Sequence, residues 1–119
     1  MAYNTGILTE KTYHFALRVV KAYKFLREER NEYVLSKQML RSGTSIGANS
    51  KEAIYAQSTL DFINKLSIAL KEASETEYWL DLLHDSQYID DKSYESIHEE
   101  CVELIKLLTS IIITTKSTL

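Results

Sequence analysis

Residues 35–56 read Leu35-Ser-Lys-Gln-Met39-Leu-Arg-Ser42-Gly-Thr-Ser-Ile46-Gly-Ala-Asn49-Ser-Lys-Glu-Ala53-Ile-Tyr-Ala56. Leu35, Met39, Ser42, Ile46, Asn49, Ala53 and Ala56 step by 4 and 3 throughout. Alternating 3 and 4 steps hold one face of a helix toward a core. Three further stripes repeat the pattern. They are Leu8, Thr12, Phe15, Val19, Ala22 and Leu26; then Phe62, Leu66, Ala69, Ala73, Thr76, Leu80 and Leu83; then Tyr94, Ile97, Cys101, Leu104, Leu108 and Ile111. Four stripes with short connections predict an all-α, up-down-up-down four-helix bundle, one domain over 1–119. Its helices are expected at about 9–29, 32–56, 59–85 and 90–115.

The boundaries carry capping chemistry. Asn31 is expected to cap helix two, and Ser58 with Asp61 fits a capping box for helix three. Asp90 is expected to cap helix four, with Ile89 and Tyr94 as a hydrophobic staple. The chain has no proline and three glycines, which suits long helices.

Residues 41–50 hold two mid-helix glycines, each costing about 1 kcal/mol relative to alanine. Gly43 and Gly47 are four apart and share a face, so close helix approach can offset that cost. Ser42 and Asn49 fall on the core stripe and need hydrogen-bond partners if buried; Thr76 and Ser74 are the expected ones. The glycines do not fit the G-x-x-x-x-G-K-[ST] pattern, so no phosphate cradle is expected.

Three helices carry more apolar surface than a solitary bundle needs. Tyr13, Leu17 and Val20 lie opposite the core stripe of helix one, and Ile68, Trp79 and Leu82 lie on the back of helix three. The end of helix four is apolar over most of its circumference. Second faces of this size point to an oligomer interface.

Charge is unevenly spread. The net charge is −3. Residues 1–57 carry +4 and residues 58–119 carry −7. The two halves can attract each other within a subunit or between subunits. Arg18, Lys21, Lys24 and Arg27 spread along helix one among aromatics, which makes RNA or DNA the alternative partner.

Catalysis finds no support. Cys101 lies on the core stripe, His14 sits beside basic residues, and neither a Gly-x-Ser-x-Gly elbow nor a CxxC pair occurs. Glu95 with His98 has the Glu-x-x-His spacing of bundle di-iron sites, and Asp81 with His84 is a near match. Helices one and two lack the inward glutamates that would complete such a site. No cofactor and no metal are expected. A single cysteine and an N-terminal segment without an apolar h-region point to the cytoplasm. Leu104–Ile113 is too short and mixed to span a bilayer, so no membrane partner is expected.

The run from Gln38 to Asn49, followed by Glu52-Ala53, Asp61-Phe62, residues Ile68 to Thr76 and Tyr78-Trp79-Leu80, resembles a bacterial family. It is the four-helix bundle family named for proteins encoded by intervening sequences in 23S ribosomal RNA genes, historically labelled ribosomal protein. The motif positions are Arg41, Ser42, Gly43, Ser45, Ile46, Gly47, Asn49, Glu52, Glu72 and Glu75. The resemblance implies a four-helix subunit, often a ring-shaped homopentamer, and no known catalysis. Accessory proteins of diversity-generating retroelements look similar; they are strongly basic and associate with a reverse transcriptase and nucleic acid. This chain differs from them in its net acidity.

A head-to-tail ring uses two different patches on each subunit. Some combination of Arg18, Lys21 and Arg41 is expected to face Glu72, Glu75 and Trp79 across that boundary. The competing arrangement pairs Arg41 with Glu75 inside one subunit.

Overall fold

The computed structural model describes residues 5–119. Residues 1–4, the start of the segment read above for a leader, lie outside them. Four helices follow one another: α1 (Thr5–Arg30), α2 (Leu35–Ile54), α3 (Thr59–Asp85) and α4 (Asp91–Lys116). Each packs on its sequence neighbour, and α1 closes the bundle against α4. The α1–α4 approach is much the loosest of the four seams.

The core follows the stripes. Phe15, Val19, Met39, Ile46, Phe62, Leu66, Leu80, Leu83, Leu104 and Leu108 are buried. On α2 the stripe shifts. Asn49 is half-buried, and Ser36, Gly43 and Ser50 are buried beside Met39, Ser42 and Ile46. The helix lies between α1 and α3, so its buried face is wider than one 3-4 track. The apolar end of α4 is largely consumed by the bundle. Leu104, Leu108, Ile111 and Ile112 are buried, Ile105 and Leu107 pack against the core, and Ile113 is exposed.

Helix ends show where side chains replace missing backbone partners. Ser58 Oγ accepts from the Asp61 N–H at 3.0 Å. Asp61 reaches back one residue further than a standard box, to the Gln57 N–H. Asp90 Oδ1 accepts from the Ser93 N–H at 2.7 Å. Asn31 does not cap α2. It adopts the left-handed conformation (φ 53°) just after α1, and α2 begins three residues later than expected. Glu32, only 7% exposed, takes the capping role. Its carboxylate accepts from the N–H groups of Val34 (3.2 Å), Leu35 (3.1 Å) and Ser36 (2.7 Å). Burial alone pushes the Glu32 carboxyl up, but those N–H groups outweigh it and hold the group below its ordinary range.

α3 ends with Gln87 in the left-handed region (φ 70°), the position glycine usually takes. The Tyr88 N–H returns to the Leu83 carbonyl at 2.8 Å and the Gln87 N–H to His84 at 2.9 Å.

Candidate functional site

The motif residues of α2 divide between two seams. A Cβ on Gly43 would lie 2.8 Å from both Val19 methyl carbons, so α1 and α2 touch there on a bare backbone. A Cβ on Gly47 would meet Thr12 at 3.5 Å, an ordinary contact. Close approach explains Gly43 and does not require Gly47.

The other face of the motif meets α3. Ser42 and Thr76 share a hydroxyl hydrogen bond at 2.9 Å, and Thr76 also reaches the Glu72 carbonyl at 2.7 Å. The expected partner Ser74 is exposed instead. Asn49 donates to the Ser45 carbonyl (2.8 Å) and Ser45 to the Arg41 carbonyl (2.7 Å), so both are satisfied within α2. Arg41 Nη2 donates to Glu75 Oε1 at 2.8 Å, and the Trp79 indole N–H approaches the same oxygen at 3.3 Å. Of the two arrangements read from the sequence, this chain shows the one in which Arg41 and Glu75 pair within a subunit. Glu52 pairs with Lys65 further down the seam at 3.5 Å. Among the described residues Glu72 Oε2 is buried without a hydrogen-bond partner.

The loose seam is bridged by long side chains. Arg18 pairs with Glu100 and donates to Ser96 Oγ at 2.9 Å. His14 Nδ1 lies 2.7 Å from the same Glu100, and Lys11 pairs with Glu103. Arg18, read above as an intersubunit or nucleic-acid contact, forms part of a clasp within the chain. These bridges, with Arg41–Glu75, join cations of the basic half to acids of the acidic half within one chain. Lys21 and Lys24 are exposed and form no ion pair with any described residue. Arg27 donates to the Tyr23 hydroxyl at 2.8 Å and lies 5.5 and 5.6 Å from the Tyr23 and Tyr33 ring centres.

Exposed apolar residues occur on α1 and α3, and also at Val34, Ile54 and Ile113. Tyr13 (66% exposed) and Leu17 (53%) stand on α1, and Ile68 (43%) and Tyr78 (57%) on α3. Val20, Trp79 and Leu82 are half-buried. Tyr78, part of the family motif but not of the apolar back read from the sequence, shares the outer face of α3 with Leu82. Its ring packs edge-on against Trp79 with centres 5.1 Å apart.

The residues with di-iron spacing have other partners. His98 Nε2 lies 2.9 Å from Glu77 Oε2, and His84 Nε2 lies 2.7 Å from Asp91 Oδ1. Tyr94 stacks between the two imidazoles, and its hydroxyl donates to Asp81. Glu95 is exposed and takes no part. Among the described residues no group of three or more His, Cys, Asp or Glu could hold a metal ion. Cys101 is buried; burial, with Glu77 and Asp81 adding to it, pushes its thiol up to about 12, far from a reactive thiolate.

Comparison with known proteins fits this arrangement. The family model described as 23S rRNA-intervening sequence protein matches residues 6–110. The chain belongs to that family. A protein of unknown function from the S23 ribosomal protein family of Bacteroides thetaiotaomicron VPI-5482 is similar in sequence and structure. It has 57% identity and a TM-score of 0.90, over 92% of this chain and 98% of that one. No curated protein matches. This intervening-sequence protein is an all-α four-helix bundle, and no described helix is long and apolar enough to cross a membrane.

Proposed function

We propose that this chain is a non-enzymatic, cytoplasmic scaffold or adaptor that acts as a homo-oligomer, a head-to-tail ring of five. One observation carries the reading: Tyr13 and Leu17 on α1, and Ile68 and Tyr78 on α3, expose apolar side chains on two different helices. Two distinct patches are what a heterologous ring interface uses. Val20, Trp79 and Leu82 border them. Because Arg18 and Arg41 are engaged within the chain, apolar contact carries this interface more than ion pairs do.

Light scattering at low and high salt tests it. The expected mass is five chains, unaffected by salt, with Leu17→Asp or Tyr78→Asp giving smaller species that keep their helical content. A single-chain mass for the unaltered protein would sink the reading.

A second reading has its own support. Lys21 and Lys24 are unpaired among the described residues, and Arg27 is held between two tyrosine rings. Cations beside aromatic platforms suit single-stranded nucleic acid. Added RNA should then bind with a steep salt dependence that Lys21→Glu with Lys24→Glu removes. Absence of binding in low salt excludes this role.

A further inference from the structure

Where α1 and α4 separate, a groove of about 570 Å3 opens beside the C-terminal half of α1 and the first two turns of α4. That volume lies within the roughly 300–1,000 Å3 of small-molecule sites. Small residues line both sides of the groove. Ala22 holds a core-stripe position on α1 yet remains half-exposed, and Ser93 lines the α4 side. Beneath them lie Met39, Leu80 and Ile97, and Phe25 and Ile89 form apolar walls. The rim carries three cations, Arg18, Lys21 and Arg30, and two carboxylates, Asp90 and Glu100, so cations are in excess. Arg18 is satisfied by Glu100, and Asp90 is committed to the start of α4. Lys21 and Arg30 also line the groove and form no ion pair with a described residue. The Arg30 guanidinium lies over the Phe25 ring, 5.5 Å from its centre, which holds the charge at the mouth.

We propose that this groove binds an aliphatic carboxylate. The chain lies between Phe25, Ala22 and Ile89 above Met39 and Leu80, and the head group meets Lys21 and Arg30. The division of polarity selects the class. The floor offers only apolar side chains, so a polar ring such as a nucleobase would bury its edges without partners. Cations outnumber carboxylates at the mouth, and Lys21 and Arg30 hold no ion pair there, so an anionic head is favoured over a neutral or cationic one. This site is separate from the outward apolar patches on α1 and α3, and its occupancy does not depend on assembly.

Decanoate below its micelle concentration, titrated calorimetrically and by thermal shift, tests the proposal, with decyltrimethylammonium as the control of equal chain length. Decanoate is expected to bind saturably, one per chain, and to raise Tm, and the cationic control is expected to do neither. Lys21→Glu with Arg30→Glu should weaken decanoate at least about a hundredfold, the loss of two charge-assisted contacts at about tenfold each. Ala22→Phe should fill the groove and abolish binding in a chain that still unfolds cooperatively. Should that variant fail to fold, Ser93→Leu obstructs the opposite wall and leaves its capping N–H in place. No saturable binding, equal binding of both amphiphiles, or undiminished binding in the filled variant would overturn the assignment.

Discussion

The two seams of α1 differ in kind. Against α2 the contact is the bare backbone of Gly43 on the Val19 side chain. Against α4 the helices stand apart, and Arg18, His14 and Lys11 reach across to Glu100 and Glu103. The first seam depends on shape and burial, which tolerate almost no added volume. The second depends on half-exposed charge pairs, which contribute little and are screened by salt. A bundle built this way is rigid along one edge and open along the other, and the groove lies on the open edge.

The comparison breaks most severely at Gly43. Gly43→Val places methyl groups where Val19 already sits, and should cost about 2–3 kcal/mol in urea denaturation. Val19→Ala in the same chain should recover part of that loss, a positive coupling in a double-mutant cycle.

Glu32→Ala strips three N–H groups of their partner at the first turn of α2 and should cost about 2 kcal/mol. The carboxyl is held below its ordinary range in the folded chain. Its contribution is therefore complete above the unfolded carboxylate range, and is lost as pH falls through the depressed folded value. The gap between parent and variant should narrow on acidification; a gap that persists in strong acid would remove the capping account.

Thr76→Val leaves Ser42 buried beside a methyl group and should cost about 1–2 kcal/mol. Adding Ser42→Ala should cost little more, because no unpaired hydroxyl remains. Full additivity of the two losses would show that the hydroxyl bond is irrelevant.

Gly47→Ala should raise stability by about 0.5–1 kcal/mol, since its Cβ meets Thr12 at an ordinary distance and alanine favours the helix. Opposite signs at Gly43 and Gly47 would sharpen the contrast. The smallest effect belongs to the open seam. Glu100→Gln should change stability by less than about 1 kcal/mol, and the difference should shrink further in high salt.

Much of this was legible beforehand. Every position of the third stripe, from Phe62 to Leu83, is buried. The caps at Ser58 and Asp90 followed from residue type and position. The reading failed where a residue acts outside its usual habit. Glu32 is of a type that normally sits in water, and nothing local announces that a left-handed turn at Asn31 will lay it under α2. Asn49 was misplaced because a single 3-4 track cannot describe a helix held from two sides. Glu100, on which Arg18 and His14 converge, was invisible because they are more than eighty residues away.

The sequence by itself determined the number and order of the helices, and most of the faces they bury. Period and capping are local properties, written within a few residues of where they act. Only the tertiary structure decided which glycine needs its bareness, which charges are already paired, and where the bundle stays open. Those depend on the spacing and rotation of neighbouring helices, set by side-chain volumes summed along whole seams.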